Sequence, residues 1–183
     1  MPPCTNIDVK TVTTEKYAGT RSHECRFVVG VHPHHAKVFA SNPQAAADTV
    51  AARLDALQGA RAIGEIGLDY HYDFSPRDVQ HEVFRVQIRL ALERDLPIVI
   101  HTREAEDDTL RIIREEGQGR LRGVFHCFTG DHAAADRALA TGFFLSIPGV
   151  ATFPKAETLR QAAPAAPAGR LLVETASPYL API

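Results

Sequence analysis

Three polar side chains each close a short apolar run of the sequence. Glu65 ends the run AIGE, His101 ends IVIH and His126 ends VFH. A carboxylate among apolar neighbours is costly to bury unless it is paired or bound to a cation. Imidazole nitrogen and carboxylate oxygen are common ligands of divalent metals, which generate hydroxide from bound water or clamp a phosphoester between two ions. The three residues together therefore predict a divalent-metal site for hydrolysis.

Taken one at a time, these residues also have structural interpretations. A single histidine at the end of a strand is usually a hydrogen-bonded structural residue, and Glu65 alone fits a pair with lysine or arginine. Arg103 lies two residues after His101 and is a candidate phosphate ligand. Its alternative is a surface ion pair with Glu104 or Asp107, and both interpretations of this arginine stay open.

Two further groups of polar residues lie near the ends of predicted strands. His32 and His34 form a His-x-His pattern, which on a strand would put both imidazoles on one side. Pro33 between them cannot donate to a sheet and marks the end of the strand, so a loop that contacts substrate is the favoured interpretation. Asp69 and His71, in GLDYHYD, either line the same site or form a solvated turn.

The elements that must position these residues alternate between apolar runs and helical patterns. Six strands and five helices are predicted, and the strand runs are apolar throughout, as expected when both faces of a sheet are covered. This alternation predicts an α/β protein with a parallel sheet. Catalytic groups of such folds lie at the C-terminal ends of the strands, where the three strand-end residues would meet. The predicted strands are residues 27–34, 61–66, 97–101, 123–128, 143–147 and 170–175.

Composition limits the classes of function. The 183 residues are 45% hydrophobic and 23% charged, which is typical of a globular protein and predicts a single domain over residues 1–183. The net charge of -2 argues against a broad basic surface for nucleic acid but allows a small site for one phosphodiester. No apolar run reaches the roughly 20 residues of a membrane helix. The three cysteines lack metal-ligand spacing, which predicts reduced thiols in a cytoplasmic or, in a eukaryote, nuclear protein.

Six segments of the chain carry a pattern that is more specific than any single motif. They are VGVHPHHA, AIGEIGLDYHYDFSPRDVQ, VFRVQIRLALERDLPIVIHTREA, GVFHCFTGD, GFFLSIPG and LLVETASPYLAPI. Together they resemble the TatD family of metal-dependent hydrolases. The resemblance implies a TIM-type (β/α)₈ barrel of the amidohydrolase-like superfamily over residues 27–183, with residues 1–26 as an atypical N-terminal segment. It also implies hydrolysis of DNA or nucleotide phosphodiesters, as a deoxyribonuclease or exonuclease, at a site that holds two Mg²⁺, Mn²⁺ or Zn²⁺ ions.

The resemblance also assigns roles to particular residues. By the motif GEIGLD, Glu65 is a metal ligand and the candidate catalytic carboxylate. By the motifs IHTR and HCF, His101 and His126 are ligands of the second metal. By the motif GVHPH, His32 lies near the substrate phosphate, where Arg103 is a second candidate for substrate binding.

Two departures from the family pattern concern the metal ligands. No His-x-His motif precedes His32, although the family's first strand supplies two ligands in this way. The family's ETDSP motif is ETASP here, so Ala176 stands where an aspartate ligand and general base is expected. A complete barrel takes about 250 residues, so the chain of 183 is predicted to lack the first strand and the closing stretch, with DVKTVTT as a poor substitute strand. A site with one ion instead of two is therefore an open alternative.

Three functional hypotheses follow. The first is a TatD-type phosphodiesterase that cleaves DNA ends with metal-activated water. The second is a degenerate, non-catalytic homologue, which the missing first-metal ligands favour. The third keeps the fold and hydrolyses another ester or amide, such as the ester of an aminoacyl-tRNA. Metal dependence separates the first from the second, and a comparison of phosphodiester and carboxylic-ester rates separates the first from the third.

Overall fold

Strands and helices alternate along most of the chain. The structure, a computed structural model, describes residues 8–13, 25–57 and 59–175. The chain divides into two compact units, Met1–Leu121 and Arg122–Ile183. Seven strands and five α-helices occur in the described residues. None of these helices is long and apolar enough to cross a membrane.

The first unit is built on a four-stranded sheet. Its strands are β1 Asp8–Thr13, β2 Cys25–Gly30, β3 Ala60–Asp69 and β4 Ile98–Arg103. β2, β3 and β4 are parallel neighbours, as the alternating pattern predicts. β1 pairs with β2 in the antiparallel direction, which requires no crossover helix between the two strands. The segment DVKTVTT therefore contains a strand, but its direction differs from that of the parallel strands of a barrel.

Two helices connect the parallel strands of this unit, and a third helix follows β4. They are α1 Gln44–Ala56, α2 Arg77–Glu93 and α3 Glu106–Gly117. A 3₁₀ helix, Pro33–Phe39, follows β2, and the sequence pattern does not predict it. Pro33 starts this helix because its fixed φ suits the first helical position, where no backbone donor is needed.

The buried side of α2 carries polar as well as apolar residues. The spacing VxxxVxxVxxxL from position 79 predicts an apolar face, and Val83, Val86 and Leu90 are indeed buried. Gln80 and Gln87 are also buried on this helix, at 1% and 0% exposure. Buried amides need hydrogen-bond partners, so these glutamines tie α2 to polar groups of the neighbouring elements.

The second unit contains a three-stranded parallel sheet. β5 Gly123–Phe125 pairs with β6 Phe144–Pro148, and β6 pairs with β7 Leu171–Glu174. Two helices connect these strands, α4 His132–Leu139 and α5 Glu157–Ala162. The order of elements again follows the predicted alternation of strand and helix.

β5 and β7 differ in detail from the predicted strands. β5 ends at Phe125 instead of residue 128, and Cys127 adopts a left-handed backbone conformation with a φ of 49°. Leu172 and Val173 of β7 are 45% and 85% exposed, so the prediction that both faces of every strand are covered is wrong for β7. Among the described strands of this unit, β7 is paired along one edge alone, with β6.

Candidate metal centre

A single imidazole joins two buried carboxylates of β3. His101 Nδ1 lies 3.1 Å from Glu65 Oε1, and His101 Nε2 lies 2.8 Å from Asp69 Oδ2. The side chains of Glu65 and Asp69 are only 3% and 0% exposed. Gly67 pairs with His101 across the two strands, and alternate residues of a strand point to the same side. The imidazole therefore lies between the carboxylates that flank Gly67.

Burial and hydrogen bonding act in opposite directions on the pKa values of Asp69 and His101. Burial raises the pKa of Asp69, but hydrogen bonds from His101, the Tyr72 backbone and His34 lower it well below its ordinary value. Burial lowers the pKa of His101, but its hydrogen bonds with Asp69 and Glu65 raise it above its ordinary value overall. Two buried anions therefore favour a positive charge at this place, which a bound cation would also supply.

Two more histidines join this group from the 3₁₀ helix after β2. His34 Nε2 lies 2.9 Å from Asp69 Oδ2, the oxygen that also contacts His101. The nearest ligand atoms of His32, His34 and His101 all lie within 4.8 Å of one another, a grouping that fits a metal ion. The predicted strand end at Pro33 is wrong, because β2 ends at Gly30 and Pro33 begins the 3₁₀ helix. This tight turn brings both histidine neighbours of Pro33 to the cluster.

Gln80 and Gln87 fix the backbone of the segments that carry the candidate ligands. The Asp69 N–H donates to Gln80 Oε1 at 2.8 Å, and Gln80 Nε2 donates to the Asp69 carbonyl at 3.1 Å. In the same way, the Val31 N–H donates to Gln87 Oε1 at 2.7 Å, and Gln87 Nε2 donates to the Val31 carbonyl at 3.2 Å. Val31 immediately precedes His32. Sequence reasoning missed these supports, and the available signal was two amides on an apolar helix face.

Replacing Gln87 by leucine is expected to lower the free energy of unfolding by about 2–3 kcal/mol, because it leaves both polar groups of the buried Val31 backbone without this partner. Urea denaturation followed by circular dichroism measures the change. Gln44→Leu is the matched control, since Gln44 makes only an exposed contact with Asp48, and a change within about 0.5 kcal/mol is expected there. Equal losses in the two variants would contradict the proposed support.

Arg103 and its neighbours form the outer part of the site. The Arg103 guanidinium lies 4.9 Å from the centre of the Tyr72 ring, a cation–π contact that the sequence does not predict. Glu104, one of the two predicted ion-pair partners of Arg103, instead lies 2.7 Å from His71 Nδ1 through its Oε1. The solvated-turn interpretation is wrong for Asp69, which is buried at the end of β3. Its Oδ1 accepts the His71 N–H at 3.0 Å, so Asp69 caps the turn that follows the strand.

His126 belongs to the second unit, where it contacts a different carboxylate. Its Nδ1 lies 2.5 Å from Glu174 Oε2, and the Cys127 N–H donates to Glu174 Oε1 at 2.5 Å. Sequence reasoning missed Glu174, although it closes the apolar run LLVE as Glu65 closes AIGE. That His126 shares a site with the residues of β3 and β4 stays a prediction. Ala176 lies outside the described residues.

Comparison with known proteins decides the family. A family model described as "TatD related DNase" matches residues 3–183. The chain belongs to the TatD family. Its predicted membership among the metal-dependent hydrolases is therefore confirmed. The matched range also includes most of residues 1–26, the segment that the sequence analysis describes as atypical.

Relatives of this TatD-family chain include named hydrolases of bacteria. It is 45% identical over 157 residues to "Uncharacterized metal-dependent hydrolase YcfH" of Escherichia coli strain K12, which covers 86% of this chain and 57% of the relative. It is 38% identical over 159 residues to "3'-5' ssDNA/RNA exonuclease TatD" of Pantoea sp. strain At-9b, which covers 86% of this chain and 60% of the relative. The chain thus spans little more than half the length of these relatives.

Solved structures confirm the fold class of this TatD-family chain. A TatD family hydrolase from Entamoeba histolytica matches 84% of this chain and 50% of its own with a TM-score of 0.71 at 27% identity. YJJV, a TatD homolog from Escherichia coli, matches 84% of this chain and 58% of its own with a TM-score of 0.74 at 26% identity. The predicted TIM-type barrel fold is therefore confirmed.

Proposed function

We propose that this TatD-family chain is a divalent-metal-dependent phosphodiesterase that acts on the ends of nucleic acids. The observation that carries the proposal is the arrangement around His101, which lies between the buried carboxylates of Glu65 and Asp69. The ligand atoms of His32 and His34 lie within 4.8 Å of its own. Nitrogen and oxygen donors grouped in this way are the ligand set of hydrolytic Zn²⁺, Mn²⁺ and related ions.

The donor set fits a divalent cation on electrostatic grounds. Two carboxylates that are nearly inaccessible to water require a positive charge beside them. We propose Glu65 and His101 as metal ligands of the first unit. His126, which contacts Glu174, is separately proposed as a metal ligand of the second unit. The ion would be Mg²⁺, Mn²⁺ or Zn²⁺, because mixed ligands do not select among them. When bound, it would acidify water and polarise a phosphoryl oxygen.

The chain's own residues would orient the substrate and accept a proton. Glu65 is the candidate general base, since the imidazole of His101 orients its carboxylate through the 3.1 Å contact. His32 is 7% exposed at the start of the 3₁₀ helix that follows β2, where it would contact the substrate phosphate. Arg103 is exposed at the end of β4, and its guanidinium suits bidentate binding of a phosphate.

The choice of nucleic acid as substrate rests on relatives and on charge. The family model is described as a DNase, and one relative is named an exonuclease of single-stranded DNA and RNA. A net charge of -2 disfavours extended binding along a duplex, because such binding needs many contacts between basic side chains and phosphates. Binding of one strand end through a few phosphates is compatible with this charge.

A second candidate function is binding without catalysis. Ala176 occupies the position where the family has an aspartate ligand, and a methyl group neither binds a metal nor accepts a proton. Under this alternative the residues of β3 and β4 would still bind an ion, and the chain would bind nucleic acid without cleaving it.

We expect the chain to shorten a 5′-labelled single-stranded oligonucleotide in Mn²⁺ and to stop doing so in excess EDTA, because the proposed ligands act through the ion. Gel analysis measures the products, and calorimetric titration with Mn²⁺ measures the ion's binding. Cleavage that persists in EDTA would contradict metal dependence. Saturable Mn²⁺ binding without cleavage would instead favour the second candidate function. A carboxylic ester that is cleaved faster than the oligonucleotide would favour the ester-hydrolase alternative.

A further inference from the structure

Two aromatic side chains in the loop that follows β3 are exposed to solvent. Tyr72 and Phe74 are 48% and 54% exposed, although large apolar side chains are usually covered. Their rings stack with centroids 5.4 Å apart and planes 19° apart. Among the described residues of the first unit, Val38 is the other exposed large hydrophobic side chain, and it belongs to the 3₁₀ helix after β2. The exposed large hydrophobic side chains among the described residues of this unit therefore lie in the 3₁₀ helix after β2 and in the loop after β3.

These rings are held close to the candidate metal centre. Asp69 Oδ1 accepts the backbone N–H of Tyr72 at 2.8 Å, while Asp69 Oδ2 contacts His101 and His34. The His34 ring packs edge-on against both aromatic rings, with centroids 5.4 Å from Tyr72 and 4.9 Å from Phe74. One carboxylate thus fixes the loop and contacts two of the candidate metal-binding imidazoles.

A second anchor ties the same loop to the segment after β2. Ser75 Oγ donates to the His34 carbonyl at 3.0 Å and accepts the Lys37 N–H at 3.0 Å. Ser75 is 1% exposed, so these hydrogen bonds are protected from water. The exposed rings consequently stand on a fixed loop, and binding a flat ligand would require little ordering of the protein.

The charged groups around the rings suit a phosphate beside an aromatic ligand. The Arg103 guanidinium lies over Tyr72, 4.9 Å from the centre of its ring. The nearby acid Glu104 contacts His71 at 2.7 Å, and Asp73 contacts Arg77 at 3.4 Å, so each of these anions lies beside a cation.

We propose that the stacked pair Tyr72 and Phe74 is a platform for a nucleobase at the end of a single strand. The base would stack on the Phe74 ring, since Arg103 lies over Tyr72, and Arg103 would bind the adjacent phosphate. This inference rests on the proposed nuclease function and adds the residues that would select a single-stranded end. Aromatic side chains stack on any base, whereas a base within a duplex is already stacked on its neighbours. A protein partner is the other ligand class for exposed rings. A nucleobase is favoured because both rings contact His34 of the candidate metal centre and Arg103 lies over the Tyr72 ring.

The test compares two single-stranded oligonucleotides that differ only at the end. One carries bases throughout, and the other carries abasic residues at its last two 3′ positions. Fluorescence anisotropy in EDTA measures binding without cleavage. We expect the unaltered chain to bind the base-bearing strand about 5- to 150-fold more tightly, the range for the stacking of one base. The double variant Tyr72→Leu, Phe74→Leu should bind both strands equally.

Two further variants keep the result interpretable. Tyr72→Phe retains a stacking ring and should keep the preference for bases. Phe144→Leu is the matched control, since Phe144 is also an exposed ring, 36% accessible and 5.3 Å from the Arg170 guanidinium, but lies at the start of β6. Equal binding of both strands by the unaltered chain would overturn the proposal and leave a protein partner as the explanation of the exposed rings. A preference that survives the double variant would also overturn it.

Failure of the platform and failure of the nuclease proposal give different results. If both strands are cleaved in Mn²⁺ with the same KM, the nuclease proposal stands and the platform is overturned. If the base preference is present and depends on the rings, but neither strand is cleaved in Mn²⁺, the platform is supported and the nuclease proposal is wrong. Circular dichroism of the double variant confirms that it is folded.

Discussion

Replacing Glu65 by glutamine is expected to reduce Mn²⁺-dependent phosphodiester cleavage by at least about 100-fold, because loss of a group that merely orients a ligand already costs 10- to 100-fold. Glutamine has the same shape but lacks the negative charge and the strong donor oxygens of the carboxylate. It also removes one of the two anions that flank His101. Initial rates on a single-stranded oligonucleotide, together with calorimetric titration of Mn²⁺, measure the two effects.

The same substitution at an exposed glutamate is the control for Glu65→Gln. Glu82 lies on α2 with a side chain that is 56% exposed, and its carboxylate is 3.9 Å from Arg85. Glu82→Gln should leave the cleavage rate within about twofold, since exposed ion pairs contribute little. Undiminished cleavage by the Glu65 variant, with Mn²⁺ binding intact, would show that this carboxylate is not a ligand.

Replacing Gly67 by alanine is expected to lower the free energy of unfolding by at least about 3 kcal/mol, because strain at an unfavourable φ is joined by a backbone collision. Gly67 has a φ of 141°, which side-chain-bearing residues rarely adopt. A Cβ there would lie 1.9 Å from the carbonyl oxygen of His101. Either β3 and β4 separate at this point or the chain does not fold. Urea denaturation and the yield of folded protein measure the result.

Gly119→Ala is the control that measures the cost of a positive φ without a steric clash. Gly119 also has a positive φ, 76°, but a Cβ there would meet nothing within 4 Å. We expect it to cost about 1 kcal/mol, the contribution of the backbone conformation alone. If both glycine variants lose the same stability, the close approach of β3 and β4 at His101 is not the cause. Where the Gly67 variant does fold, loss of Mn²⁺ binding should accompany the loss of stability.

The sequence predicts the alternation of strands and helices, and it predicts that Glu65 and His101 lie on strands, because each belongs to an apolar run. Their predicted position at strand ends is wrong, since β3 continues to Asp69 and β4 to Arg103. The sequence does not predict how far β3 extends. The expected strand ended at residue 66, whereas β3 continues to Asp69, so this carboxylate belongs to the sheet and not to a free turn. Pairing with β4 across Gly67 and beyond sets this length, and such pairing is invisible in a local pattern.

Long-range contacts also explain the other differences. His34 follows a proline, and its approach to Asp69 depends on a 3₁₀ turn that no periodicity of the sequence predicts. Gln80 and Gln87 interrupt an apolar helical face, and their role becomes evident only when the backbone groups opposite them are known. Local patterns therefore identify the elements and some of the chemistry, whereas partners distant in sequence determine which polar residues act together.

The spacing of these two glutamines on α2 sets the distance between the two segments that they bind. They are seven residues apart, two helical turns, so both amides project from nearly the same side about 10 Å apart along the axis. Gln87 binds the backbone of Val31, which precedes His32, and Gln80 binds the backbone of Asp69. A single residue inserted between them would rotate one amide by about 100° relative to the other. The number of residues in this stretch of α2 is therefore constrained as strictly as their identity, and variation in length is more readily accommodated elsewhere on the helix.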